Sequence, residues 1–281
     1  MFTKSVARTL LAKIYAEKPL RDYTKVIQYC DEVKADGFDL VDDFSDLFGM
    51  NAAGTDAKMR NTKESILEAQ FTSGAGNWCT WMFGRDLVNW NNNFTWAKWV
   101  TPSRDLISAF KQEGDEVRFK ESIVYYDCNW SNYYPSDNYP FMYKCRSANS
   151  SIIKYRYADV LLLKAEALIM QDTPDLEGAA DIIDKVRDRA KLGALPTSVR
   201  SNKNVLLNAL LKERRLELAF EGQRWFDLVR LDKVEEVMNA VYAKDSGRKA
   251  QIYTFDKNSY RLPIPQSVID ANDKIHQNPG Y

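Results

Sequence analysis

Histidine is almost absent from this chain: His276 stands alone among 281 residues. A Ser–His–Asp triad would have to use that one side chain, close to the C-terminus, and no G-x-S-x-G elbow accompanies it. Cysteine is scarce too. Cys30, Cys79, Cys128 and Cys145 lie far apart with no CxxC pair, which excludes the closely paired ligands of a structural zinc site. Cys128 and Cys145 are the one pair spaced for a bridge, although dispersed cysteines are more often buried free thiols. Charge of one sign is missing: Lys+Arg and Asp+Glu both number 39. A chain that grips nucleic acid through its phosphates needs a basic excess or stripe, so none is expected as a partner. No apolar run reaches the roughly 18 residues of a membrane-spanning helix. The opening "MFTKSVARTLLAKIY" breaks its apolar positions with lysine and arginine and makes a poor signal peptide. Gly74 and Gly76 lack the third glycine of a dinucleotide fingerprint, and no EF-hand pattern occurs. No cofactor or metal is predicted.

What is present is helical spacing at both ends and aromatic residues between. Val6, Leu10, Leu11, Ile14 and Tyr15 recur as on one helix face, and Tyr23, Val26, Ile27, Cys30 and Val33 as on a second that ends at Gly37. "RYADVLLLKAEALIM" (156–170) and the segment with Ala179, Ile182, Ile183 and Val186 repeat that plan. Ala7, Leu10, Leu11 and Lys13 fall on Ala158, Leu161, Leu162 and Lys164 at a constant offset. Small residues at the crossing of a helix pair are the logic of tetratricopeptide repeats, and such units must stack on neighbours. The fold class expected is mostly α, with TPR-like helical hairpins forming a superhelical scaffold around a long irregular, loop-rich insertion. Within that insertion "ESILEAQF" (64–71) alternates like a strand. "SRDLISAF" (103–110) reads as a short helix capped by Ser103 with Asp105 in its first turn.

The stretch "LKERRLELAFEGQRWFDLVRL" (211–231) concentrates charge. On one continuous helix Arg214, Glu217, Glu221 and Arg224 form a ladder of opposite charges, while Leu211, Leu218 and Trp225 share an apolar face. Gly222 costs about 1 kcal/mol relative to alanine inside a helix, so it marks either a close backbone approach or a break into a second helix near Arg224. Glutamates paired with arginines stay ionised, which is wrong for a general acid, and the stretch reads as architecture.

These segments carry a resemblance. "YRYADVLLLKAEAL", "ERRLELAFEGQRWFDLVRL" and "LPIPQSVIDANDKIHQNPGY" resemble the C-terminal signatures of the SusD-like (RagB/SusD) family. The pattern R-x-A-D/E-x-x-L-x-x-A-E-A is met by Arg156, Ala158, Asp159, Leu162, Ala165, Glu166 and Ala167, and the closing Q-N-P-G-Y by Gln277 to Tyr281. The resemblance implies a single domain over 1–281. It would comprise a TPR-like hairpin (1–40), a loop-rich ligand-binding insertion (41–155), TPR-like and long helices (156–240) and an extended C-terminal clasp (241–281). It implies an outer-membrane, cell-surface lipoprotein of Bacteroidetes, with the usual N-terminal part lying outside this chain. It also implies a partner, a SusC-type TonB-dependent transporter, and a captured glycan ligand or, in some members, a peptide, without catalysis.

Sugar rings are recognised by flat aromatic faces with amides and carboxylates at the hydroxyls. The densest such composition is 74–100. Its candidate ligand residues are Asn77, Trp78, Trp81, Arg85, Asp86, Trp90, Asn91 and Trp96; a second group is Trp130, Tyr133 and Tyr134. Glycoside hydrolysis by a pair of carboxylates is the catalytic alternative, and no pair stands out from sequence.

Overall fold

The computed structural model describes residues 2–72, 76–77, 101–128, 134–244 and 254–281. Its backbone contacts gather into two compact units, Met1–Gln223 and Arg224–Tyr281.

In the first unit, α1 (Lys4–Ala16) starts where the Thr3 hydroxyl accepts from the Val6 N–H at 3.3 Å. After a tight turn α2 (Tyr23–Ala35) starts at Asp22, whose carboxylate accepts from the Lys25 N–H at 3.0 Å. Each cap satisfies a donor that the first helical turn leaves open. The two helices pack as an antiparallel hairpin with Ala12, Ala16 and Val26 fully buried. Leu10 and Ile14, expected on the packed face, are exposed instead, and Thr9 is buried. Small side chains let α2 approach closely, so the bulkier residues turn outward.

The insertion is more regular than its composition suggests. It holds α3 (Ser45–Phe48), β1 (Ser65–Ala69), α4 (Arg104–Glu113), α5 (Glu116–Ser122), β2 (Ile123–Tyr126), β3 (Tyr139–Met142) and β4 (Ile152–Arg156). β1 pairs antiparallel with β4, and β2 with β3 in the register Ile123↔Met142 to Tyr126↔Tyr139. The Ser103 hydroxyl accepts from the Leu106 N–H at 3.1 Å, as the cap motif predicts, and α4 ends at Gly114 in the left-handed region. α5 and the β2–β3 hairpin have no sequence signal strong enough to find them, because each element is only four to seven residues long.

The second hairpin is α6 (Tyr157–Met170) and α7 (Leu176–Arg189), joined by a turn and capped at Asp175. Both α1 and α2 pack on α6, so the two hairpins stack as the internal repeat requires. Ala158, Ala165, Ala179 and Ala180 are fully buried at these crossings, and Leu162, Ile169, Ile183 and Val186 fill the core with them. α8 (Thr197–Arg200) leads into α9 (Lys203–Glu217), which adds Leu206 and Leu210 to the same core.

The helical pattern that runs to residue 231 is interrupted, and α9 stops at Glu217. Phe220 and Gly222 adopt φ of +65° and +76°, a conformation costly for side-chain-bearing residues, and a new helix starts at Arg224. A Cβ on Gly222 would meet no atom within 4 Å. The glycine therefore marks a break and not a close approach.

In the second unit α10 (Arg224–Arg230) packs with α11 (Val234–Lys244), and Tyr242 and Trp225 lie against the Phe255 ring. A 3-10 turn at Lys257–Tyr260 and α12 (Gln266–Asp270) precede the Q-N-P-G-Y ending. Gln277 accepts from the Ile264 N–H and donates to its carbonyl, and Asn278 donates to the Leu262 carbonyl. Those bonds fold the tail back on itself.

Candidate functional site

The charge-rich motif looks like a catalytic cluster and is built as a core. Arg156, at the end of β4, donates to Glu64 at 2.8 Å, to Glu221 at 2.7 Å and to the Glu217 carbonyl at 2.7 Å, and also pairs with the Glu217 carboxylate. Arg189 from α7 pairs with Glu64 and Glu217. Arg118 from α5 reaches Asp115 and Glu213 at 2.5 Å and Glu217 at 3.1 Å. Lys144 donates to the Glu217 carbonyl at 2.8 Å and to Glu221 at 2.6 Å, with its ammonium against Phe44 and Phe48. Arg214 and Lys13 close on Asp159 at 2.8 and 2.6 Å. Arg214, Glu217 and Glu221 thus bond to distant elements; they do not form a ladder along one helix.

Burial and charge act in opposition here. Burial alone would raise the Glu217 carboxyl, but the guanidinium groups of Arg189, Arg156 and Arg118 hold it well below its ordinary 4.5. For Glu213 burial outweighs Arg118, and its pKa is raised. Burial pulls Lys144 down to about 8 against the pull of Glu221. Acid catalysis needs a protonated carboxyl that reaches substrate. Glu64, Glu213 and Glu217 are sealed and committed to arginine, so this cluster cannot supply it.

Nine of the expected ligand residues, Trp78, Trp81, Arg85, Asp86, Trp90, Asn91, Trp96, Trp130 and Tyr133, lie outside the described residues. The other two are placed. Asn77 is 2% exposed; its amide donates to the carbonyls of Ser147 and Ser150 at 3.2 and 2.7 Å, and its oxygen accepts from the Cys145 thiol. Its backbone N–H bonds the Ala148 carbonyl at 2.8 Å. Its amide is engaged in tying residue 77 to the 147–150 turn. Tyr134 is half-buried, with its hydroxyl donating to the Pro102 carbonyl at 2.7 Å, Arg104 over its ring and Tyr139 edge-on at 5.7 Å. As expected of dispersed cysteines, Cys30, Cys128 and Cys145 carry buried, unbridged thiols.

Beside the Asn77 anchor a cleft of about 240 Å³ opens, walled by Phe48, Met142, Ile152, Ile153 and Phe220 and reaching Cys145, Lys144 and Glu221. These residues carry no sequence signal, because a short helix, two strands and two loops contribute them. Phe220 forms part of the wall only because the turn after α9 holds it in the left-handed region. The cleft is a largely apolar surface with the Lys144–Glu221 pair at one end, suited to binding. Among the described residues no group of histidine, cysteine and carboxylate side chains could hold a metal, and no helix is long and apolar enough to cross a membrane.

Known proteins share this architecture. The SusD family profile matches residues 134–281, more than half of the chain. SusD-like protein P38 of Formosa agariphila is 43% identical over 99 residues, covering 33% of this chain and 19% of its own length. SusD-like protein P2 of the same organism is 36% identical over 143 residues, covering 48% and 27%. A SusD-like protein from Bacteroides fragilis superposes with a TM-score of 0.75 at 22% identity, over 99% of this chain and 65% of that one. A laminarin-binding SusD-like protein gives 0.69 at 24%, over 100% and 63%. Surface glycan-binding protein A from Bacteroides thetaiotaomicron gives 0.71 at 20%, over 99% and 64%. The chain therefore spans about a fifth to a quarter of the two relatives and under two thirds of these structures. Because the profile covers more than half of its residues, this chain belongs to the SusD family.

Proposed function

We propose that this protein captures oligo- or polysaccharide without chemical change and passes it to a SusC-type TonB-dependent transporter at the outer face of the outer membrane. The observation that carries the reading is the segment 78–100, rich in tryptophan and asparagine and anchored by Asn77 on a SusD-family scaffold. Two structural neighbours bear the names of glycan binders, which supports the ligand class. The engagement of Glu64, Glu213 and Glu217 by arginine supports binding over hydrolysis. Indole faces stack on the C–H faces of sugar rings, and the amides and charges of Asn91, Arg85 and Asp86 are suited to the hydroxyls.

Isothermal titration against a panel of poly- and oligosaccharides tests the reading. Saturable binding to at least one, with no reducing sugar released on long incubation, is the expected result. Binding to extended peptides alone would move the chain to a peptide-capturing role, and sugar release would make it a hydrolase. Retention of the transporter on this protein in detergent extracts tests the partner.

A further inference from the structure

The cleft of about 240 Å³ beside Asn77 carries one charge that the core network does not use. Most polar groups in its lining are committed. Glu221 accepts from Arg156 at 2.7 and 2.8 Å and from Lys144 at 2.6 Å, and Lys144 also donates to the Glu217 carbonyl. The Ser151 hydroxyl accepts from Arg60 at 2.8 Å, and the Cys145 thiol donates to the Asn77 oxygen at 3.5 Å. Lys154 is the exception. It belongs to the lining, stands on β4, is exposed, and has no partner among the described residues.

A neutral sugar unit is held by amides and carboxylates at its hydroxyls. Among the described lining residues there is no asparagine or glutamine, and the one carboxylate, Glu221, is already bound by Arg156 and Lys144. What the lining leaves open is the Lys154 ammonium beside apolar walls. That combination suits a ring whose C–H face lies on the walls and whose substituent is negative. Cavities for drug-sized ligands run to about 300–1,000 Å³, so 240 Å³ suits one unit and not a chain. Position agrees with this: Cys145 of the lining bonds Asn77, and Asn77 directly precedes the tryptophan-rich stretch in sequence. We propose that this cleft receives an acidic sugar unit of the captured glycan, its carboxylate or sulfate on Lys154 and its ring against Met142, Ile152 and Phe220. The assignment rests on the glycan reading and narrows it to anionic polysaccharide.

The probes are matched pairs of charged and neutral polysaccharide, titrated into the whole chain: polygalacturonate with its methyl ester, and dextran sulfate with dextran. The first pair tests a carboxylate and the second a sulfate. The charged member of at least one pair should bind saturably and about fivefold more tightly than its neutral partner. Lys154→Ala should remove most of that margin and flatten its salt dependence, and Lys154→Glu should abolish it. Lys4→Glu, at an exposed position on α1, should keep it. All three variants should unfold at the parent's temperature. Equal affinity within both pairs, no saturable binding of either polyanion, a margin that survives in Lys154→Glu, or its equal loss in Lys4→Glu would overturn the assignment. Binding of laminarin in any of those cases would leave glycan capture standing, whereas no binding of any saccharide would end the capture reading itself.

Discussion

Glu217 is fully buried and still charged, because Arg118, Arg156 and Arg189 converge on it. Removing one partner from such a cluster leaves an uncompensated buried charge. Glu217→Gln is therefore expected to cost about 3–5 kcal/mol of unfolding free energy at pH 7, measured in urea. The pH dependence has a definite sign. A carboxylate held below its ordinary value contributes stability that is complete above about 4.5 and erodes as pH falls below it, since the unfolded chain takes up the proton first. The Glu217→Gln protein should show a shallower loss of stability below pH 4.5 than the parent. An acid limb of unchanged slope would remove Glu217 from the account. The two positive-φ glycines at the ends of the motifs make a second residue-scale contrast. Gly222→Ala meets open space and should lose only the left-handed penalty, about 1–2 kcal/mol. Gly280→Ala places a Cβ 2.6 Å from that of Asn258 as well and should lose more, seen as the larger fall in urea midpoint.

At the scale of elements, helix pairs recognised by periodicity are where the structure and the sequence agree best. The repeat offset even pairs residues whose packing differs. Ala158 is fully buried where α6 meets its neighbours, whereas its counterpart Ala7 is exposed. Ala158→Leu should overpack the crossing and cost about 1–3 kcal/mol, while Ala7→Leu should stay within about 0.5 kcal/mol of the parent, both by thermal unfolding. Equal effects would show that the repeat does not stack as described. Periodicity could reveal that Leu10 and Ile14 share a face, but not which face of α1 meets α2; the alanines decided it. Nor could it reveal that Arg214 and Glu217 answer Asp159, Arg156 and Arg189, because those partners lie dozens of residues away in the chain. The motif itself was legible as architecture. Its wiring was not, since local spacing supplies only neighbours three and four residues apart. Asn77 illustrates the same limit: an amide beside tryptophans has the composition of a ligand residue, and only the 147–150 turn reveals its anchoring bonds.

At the scale of the molecule, the proposed function gives charge and the tryptophan-rich segment separate ends. Glu213 and Glu217 of the C-terminal motif face arginines of other elements inside the first unit, bracing α9 against β4, α5 and α7. The tryptophans are concentrated in a segment that this braced scaffold holds at Asn77. The most direct test of this division is the migration of the chain in native gels cast with individual polysaccharides, laminarin among them, beside a variant with Trp78, Trp81, Trp90 and Trp96 changed to alanine. The account predicts that at least one polysaccharide retards the parent, that the variant runs freely in the same gel, and that both unfold at the same urea midpoint. Undiminished retardation of the variant, or free migration of the parent in every gel, would contradict it.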